Sequence, residues 1–242
     1  MPTPIDVAFE TVIGSHLYGT NVASSDIDIN TVYNEPKEML LGLQSITDLK
    51  TKLTQEIDVE DKRRFWLRRY LALAVKCNPN IIESLYAPKD KVRYSTVLFD
   101  TLIIKNRDIF LSHDHLVHSH FGFATSQIKR MDGTNLGAKR KDISKIYGYD
   151  VKYAAHAYRL LVQLIVTLGN GTVKLPYDQC VIDQILKIRR GDLTREEFDE
   201  LYKDTSADAD EAIKYSKLRK DPDFDAINKI AIEYYEAKYY SD

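Results

Sequence analysis

The sequence predicts an α+β protein, in which a small β-sheet from the first part of the chain is followed by helices. Short apolar segments with the two-residue alternation of strands occur near the start of the chain. From about residue 110 onward, apolar residues instead recur at helical spacing. This change divides the chain into a predicted core over residues 1–110 and a predicted helical part over residues 111–242.

The predicted core begins with a strand, a loop with a short helix and a second strand over residues 5–33, followed by a turn at residues 34–36. A third strand is expected within residues 55–63, and a helix over about residues 64–76. Residues 78–86 begin with Asn-Pro, the N-cap and N1 pattern of another helix. These elements would place helices beside a small sheet.

The helical part carries turn and capping signals. Glycine-containing turns at residues 133–135 and 169–171 should separate helices. Thr194 and Glu197 have the spacing of a capping box, in which each side chain bonds the backbone amide of the other residue. Residues 227–234 carry apolar side chains at helical spacing, which predicts an amphipathic helix near the C-terminus.

Composition is compatible with a soluble enzyme and excludes several classes. The chain has 242 residues, of which 44% are hydrophobic, and a formal net charge of −2, so a strongly basic nucleic-acid coat is not expected. Cys77 and Cys180 are far apart, which argues against a disulfide framework or a cysteine zinc site. Without a signal peptide or a long apolar span, we expect a cytoplasmic protein that does not enter a membrane.

The segment that begins at Gly14 has the pattern of an anion-binding loop. Residues 7–13 resemble a strand, and Gly14 allows a sharp turn after it because glycine has no β-carbon. The hydroxyl of Ser15 and the amides that follow can then face a phosphate. Gly-Ser alone is often an ordinary turn, so this interpretation depends on the residues that follow.

Two aspartates follow the loop at the spacing of alternate strand positions. Asp26 and Asp28 alternate with Ile27 and Ile29, so we expect the isoleucines in the core and both carboxylates on the other face. Residues two apart on a strand lie roughly 6.5 Å apart, which suits a pair of divalent ions about 3.5–4 Å apart. The alternative is a solvated pair of charges at a strand edge.

Together these residues carry a family resemblance. Gly-Ser followed by Asp-x-Asp resembles the nucleotidyltransferases of the DNA polymerase β superfamily. Within it, the chain resembles the RlaP-like group of RNA-ligase-associated predicted nucleotidyltransferases over about residues 12–192, with His16 where many relatives carry arginine. The blocks that carry this narrower resemblance are Leu67–Leu71, Asn78–Leu85, Phe121–Phe123 with Gln127, and Gly148–Leu161.

The resemblance implies a small mixed β-sheet core like the polymerase β palm, and a helical part that closes over a nucleotide. The implied enzyme moves an NMP from an NTP to a hydroxyl acceptor, such as an RNA or tRNA end, with Mg²⁺ or Mn²⁺ as cofactor. Gly14, Ser15 and Ser25 would bind the nucleotide, and Asp26 and Asp28 the metal. The alternatives are a catalytically silent nucleotide- or RNA-binding module and an interaction protein of the toxin-antitoxin type.

A third carboxylate is expected on the third strand, where several acids compete. Strand alternation places Glu56, Asp58 and Glu60 on one face and Asp61 on the other. The register of the RlaP-like pattern favours Asp61 over Asp58 as the third catalytic and metal-binding residue. The other set would then be a solvated strand face.

A second group of candidate residues lies on the helix expected to begin near Asp150. Lys152, His156 and Arg159 are spaced by four and then three residues, which places them on one helix face. Arginine can fork two phosphate oxygens and lysine supplies a mobile charge, so this face could bind the triphosphate. The alternative is a solvent-exposed basic stripe.

Two further clusters have no assigned role. Four of the six histidines lie within residues 113–120, but their irregular spacing and the lack of a nearby cysteine make a zinc site an unfavoured interpretation. The basic run at residues 139–141, with Lys145, could follow a nucleic-acid backbone or could be a solvated loop. The sequence indicates neither the oligomeric state nor the preferred base.

Overall fold

The computed structural model describes residues 6–23, 25–42, 62–131, 144 and 146–240. By their internal contacts these residues form two compact units. The first unit comprises Met1–Val75, Asn80–Phe110 and Asp223–Asp242, and the second comprises Lys76–Pro79 and Leu111–Pro222. The prediction had divided the chain at residues 110 and 111, so it differs in assigning residues 223–242 to the helical part.

The first unit contains a four-stranded mixed sheet, as the α+β prediction required. Its order is β3-β2-β1-β4, in which β1 is antiparallel to both β2 and β4 while β2 and β3 are parallel. The central strands are rich in buried residues because both neighbours and helices cover them. The strands are β1 Val7–Ile13, β2 Asp28–Tyr33, β3 Lys62–Trp66 and β4 Val92–Ser95.

Helical segments complete the first unit. They are α1 Ser15–Tyr18, α2 Lys37–Leu41, α3 Leu67–Val75, α4 Pro79–Leu85, α5 Val97–Phe99 with a π-turn over Asp100–Ile104, and α10 Phe224–Tyr240. Phe9 of β1 stacks on Phe99 at 4.7 Å between ring centroids, and Tyr70 of α3 packs against the same ring. These aromatic contacts form the core beneath the sheet.

The third strand extends further than expected. The prediction began a helix near residue 64, whereas β3 continues to Trp66 and α3 begins at Leu67. Parallel pairing with β2 explains the difference, since Phe65 and Trp66 lie opposite Val32 and Tyr33. The predicted strand residues 55–61 lie outside the described part of the chain.

All the regular secondary structure in the described residues of the second unit is helical, as predicted. Its helices are α6 His113–Met131, α7 Val151–Asn170, α8 Gln179–Arg190 and α9 Arg195–Tyr215. Helix α7 is the central element and packs against α6, α8 and α9. The predicted capping box is present, because Thr194 accepts from the amide of Glu197 and Glu197 accepts from the amide of Thr194.

The C-terminal helix α10 belongs to the first unit because its tyrosines bond to the turn after β2. Tyr234 donates to Oδ1 of Asn34 at 2.9 Å, and Tyr235 donates to Oε2 of Glu35 at 2.7 Å. The backbone carbonyl of Glu35 accepts from Tyr239. The sequence pattern predicted this amphipathic helix but not the surface that it covers. Among the described residues, no helix combines the length and apolarity needed to cross a membrane.

Candidate active site

The candidate site begins where β1 ends. Gly14 has φ 69° and ψ −149°, a backbone region that is essentially restricted to glycine. This turn starts α1 at Ser15, and the carbonyl of Gly14 accepts from the amides of Leu17 and Tyr18 at 3.0 and 3.2 Å. Gly19 ends the helix in the left-handed conformation. The predicted strand, glycine turn and short helix are therefore confirmed.

Asp28 and Gly14 lie side by side. In the antiparallel pairing of β1 and β2, Ile13 is the partner of Asp28. A β-carbon added to Gly14 would lie 2.5 Å from Oδ2 of Asp28. The carboxylate thus fills the space that any other residue at position 14 would need. Both this contact and the positive φ therefore favour glycine at position 14.

Asp26 differs from Asp28 in its position. Strand β2 begins at Asp28, so Asp26 and Ile27 lie in the segment that leads into it. Asp26 is exposed, and Ile27 is 47% exposed rather than buried. The expected burial of Ile27 was wrong because strand alternation does not apply before the strand begins. Ile29 is buried as predicted.

Hydrogen bonds hold the segment between α1 and Asp26. Ser25 closes a turn in which its hydroxyl accepts from the amide of Val22 at 2.9 Å. The carbonyl of Ser25 accepts from Nε2 of His16 at 3.2 Å, which places a proton on that ring nitrogen. His16 therefore ties α1 to the residue before Asp26. Sequence reasoning identified His16 only as a departure from the family pattern and missed this role.

The two acids of the site are side chains that could hold a divalent cation. Carboxylate oxygens are the ligands that Mg²⁺ and Mn²⁺ prefer. Asp26 and Asp28 provide two such groups, and within the described residues no group of three acidic, histidine or cysteine side chains is assembled. Asp61 and Asp58, the rival third ligands, lie outside the described residues. Lys62, the residue after Asp61, pairs with Ile29.

The second unit holds Lys152, His156 and Arg159 on α7, in contrasting environments. Lys152 is exposed and His156 is half-buried, whereas Arg159 is only 3% exposed. Arg159 donates to Oε1 of Gln163 at 3.1 Å, to the hydroxyl of Tyr177 at 3.3 Å and to Nδ1 of His156 at 3.3 Å. The alternative of a wholly solvated basic stripe does not describe Arg159, which belongs to a buried polar cluster.

Two of the clustered histidines stabilise α6. His113 contacts the Asp114 carboxylate at 2.7 Å and donates from Nε2 to the carbonyl of Ile213 at 3.0 Å. His120 is fully buried and donates from Nδ1 to the carbonyl of Leu116 at 3.1 Å. Burial lowers the pKa of His120 to about 3, which keeps its ring neutral. The basic run at residues 139–141 and Lys145 lie outside the described residues.

Comparison with known proteins identifies the family. No curated protein and no solved structure shows a significant match to the chain. A family model described as "RlaP: RNA repair pathway DNA polymerase beta family" matches residues 2–233. The match covers nearly the whole chain, including the glycine turn, both aspartates and α7. The protein belongs to the RlaP family of RNA repair pathway polymerase β-type proteins.

Proposed function

We propose that the protein is a metal-dependent nucleotidyltransferase that moves an NMP from an NTP to a hydroxyl acceptor and releases pyrophosphate. The observation that carries the proposal is the contact between Asp28 and Gly14, which joins the carboxylate to the turn that starts α1. A phosphate bound by the turn would lie close to the acid. Family membership supports the reaction class.

Asp26 and Asp28 would hold Mg²⁺ or Mn²⁺, with Asp61 as the third carboxylate. Bound metal would supply charge neutralisation for the triphosphate and for the attacking oxygen. Asp61 would also accept the proton of the acceptor hydroxyl, which then attacks the α-phosphorus in line. Lys62 pairs with Ile29, the residue after Asp28. Asp61 directly precedes Lys62 in the sequence and Asp58 lies three residues earlier, which supports Asp61 as the third carboxylate.

The nucleotide would be bound through its phosphates. Gly14 and Ser15 offer backbone amides and a hydroxyl at the turn, and Ser25 closes the segment that leads to Asp26. Lys152 is exposed and would contribute a mobile positive charge. His156 and Arg159 would act together, since the guanidinium of Arg159 already bonds to Nδ1 of His156. This bond leaves Nε2 of the neutral imidazole as the protonated nitrogen.

The acceptor would be an RNA end, including a tRNA end. The family description refers to an RNA repair pathway, and this favours a polynucleotide hydroxyl over a small molecule. An RNA end would need no strongly basic protein surface, because the transferred nucleotide and the metal provide most of the charge interactions at the reacting atoms. The formal net charge of −2 is compatible with such an acceptor.

The test is transfer of labelled nucleotide. The purified protein is incubated with each α-labelled NTP, Mg²⁺ or Mn²⁺, and RNA with free 3′-hydroxyl ends. We expect labelled RNA from the wild type and a decrease of at least about 10²-fold in Asp28→Asn, which retains the size of the side chain but loses its charge. Asp90→Asn, an exposed acid elsewhere in the same unit, is the matched control and should retain full activity.

Each result has a clear meaning. Full activity in Asp28→Asn would refute the assignment of the site. If the wild type binds nucleotides but transfers none to RNA, the proposed transferase activity is refuted and a catalytically silent binding module is favoured.

A further inference from the structure

Helix α4 contacts both sides of the candidate active site from within the core. The side-chain amide of Asn30 in β2 donates to the carbonyl of Asn80 at 3.3 Å. The hydroxyl of Tyr18 in α1 donates to Oε2 of Glu83. Asn30 and Glu83 are fully buried, and Tyr18 is nearly so. Both contacts are therefore shielded from water, which strengthens their directional effect.

The positions of these residues relate the contacts to the site. Asn30 lies two residues after Asp28 on the same strand, so the two side chains project from the same face. Tyr18 is the last residue of α1, whose first residue follows Gly14. Asn80 and Glu83 are three residues apart in α4, and they accept through the backbone carbonyl of Asn80 and the carboxylate of Glu83. Helix α4 thus bonds both to β2, which begins at Asp28, and to α1, which follows the glycine turn.

Glu83 is an unusual choice for a purely structural position. Its neighbours Ile82 and Leu85 are apolar and fully or almost fully buried. A carboxyl group at such a place is costly to desolvate, and an apolar side chain of similar size commonly stabilises a core at least as well. What an apolar pair cannot provide is a fixed direction and length between α1 and α4. The hydrogen bond from Tyr18 provides both.

We propose that Tyr18 and Glu83 are positioning residues of the transfer reaction, which fix α1 and the Gly14 turn relative to Asp28. This inference rests on the proposed function. When the bond is lost, α1 can shift together with the backbone that binds the phosphates. The nucleotide would then remain bound but would be misplaced relative to the carboxylates. The rate of transfer should therefore fall while nucleotide affinity changes little.

The test compares two tyrosine-to-phenylalanine variants that each remove one buried hydroxyl bonded to α4. Tyr18→Phe breaks the bond from α1 to Glu83. Tyr70→Phe, the matched control, breaks the bond from α3 to Ser84, where the two oxygens lie 2.6 Å apart. We expect kcat to fall about tenfold or more in Tyr18→Phe, with KM for the NTP within about threefold of wild type. In Tyr70→Phe, kcat should stay within about twofold of wild type.

A second measurement does not depend on activity. Amide hydrogen exchange of Leu17 and Tyr18, which bond to the carbonyl of Gly14, should accelerate about tenfold or more in Tyr18→Phe and remain unchanged in Tyr70→Phe. Equal loss of kcat in both variants, or unchanged exchange in Tyr18→Phe, would overturn the proposal. If the wild type transfers no nucleotide, the proposed function fails, and the exchange rates alone decide whether this bond positions α1.

Discussion

The two candidate aspartates of the first unit and the residues Arg159 and His120 of the second unit lie in opposite environments. In the first unit, Asp26 is exposed and Asp28 is partly exposed where the chain enters β2. In the second unit, Arg159 is 3% exposed and His120 is fully buried. The sequence analysis predicted direct ligand binding by both residues, Asp28 as a metal ligand and Arg159 as a triphosphate ligand. The difference teaches that an accessible charged group can bind a ligand directly. A buried charged group instead needs hydrogen bonds within the protein, and these bonds stabilise the residues around it.

The largest expected effect that sharpens this comparison is the loss of folding stability at acid pH that His120 causes. Its pKa is about 3 in the folded protein, mainly because of burial and secondarily because of the nearby charge of Arg159, against 6.5 for the free side chain. Below pH 6.5 the unfolded chain binds a proton that the folded chain excludes. The stabilisation present above pH 6.5 is therefore lost as the pH falls towards 3, by about 1.4 kcal/mol per pH unit.

Urea unfolding at pH 6.5 and pH 4.5, followed by far-ultraviolet circular dichroism, measures this loss. His120 should account for about 2 kcal/mol of the decrease between the two pH values. The variant His120→Gln cannot titrate and should show a correspondingly smaller decrease. If the wild type and His120→Gln lose the same free energy, His120 is not held neutral within the second unit.

The next effect separates buried from exposed charge on one helix. Arg159→Ala removes three hydrogen bonds within a buried cluster and should lower the free energy of unfolding by about 2–4 kcal/mol. Lys152→Ala, two turns earlier on α7, removes an exposed charge and should change it by about 0.5 kcal/mol or less. The comparison is wrong if Lys152→Ala lowers the free energy of unfolding more than Arg159→Ala does.

The same pair of variants addresses phosphate binding. Calorimetric titration with a nucleoside triphosphate and with the monophosphate reports whether the β- and γ-phosphates are contacted. If Arg159 serves the nucleotide through His156, Arg159→Ala should weaken triphosphate binding by about 1.5–3 kcal/mol and monophosphate binding far less. Equal losses for the two ligands would mean that the cluster only stabilises the fold.

The smallest effect concerns the glycine turn. In Gly14→Ala, the turn would force the alanine into a positive φ and place its β-carbon 2.5 Å from Oδ2 of Asp28. The substitution should therefore lower the free energy of unfolding by about 1–3 kcal/mol and displace the carboxylate. Gly169→Ala is the control, because a β-carbon there would meet open space within a helix. It should be neutral or stabilise by up to about 1 kcal/mol. Equal thermal unfolding of the two variants would show that position 14 tolerates a side chain.

Local patterns were sufficient to predict the elements that surround the site. The alternation in β1, the glycine turn and the start of α7 near Asp150 each depend on residues close in sequence. The structure adds that Asp150 caps α7 by accepting from the amides of Lys152 and Tyr153. The order of strand, short helix and strand over residues 5–33 was predictable for the same reason.

Features that depend on distant partners were not predictable. The burial of Arg159 involves Tyr177, which lies eighteen residues later in the chain. The place of α10 depends on Asn34 and Glu35, about two hundred residues earlier. Strand β4 was missed because its four residues, two of them exposed, carry too little alternation to be recognised. Spacing defines a helix face, but only tertiary packing decides whether that face meets solvent.

Because α10 packs on the turn after β2, the first unit is completed only after α10 has been synthesised. The residues of the second unit are translated between the sheet and the helix that covers Asn34 and Glu35. At about 5–20 residues per second, the ribosome needs roughly 10–40 s to make the intervening chain. The first unit therefore waits, incomplete, while the helices of the second unit can already fold.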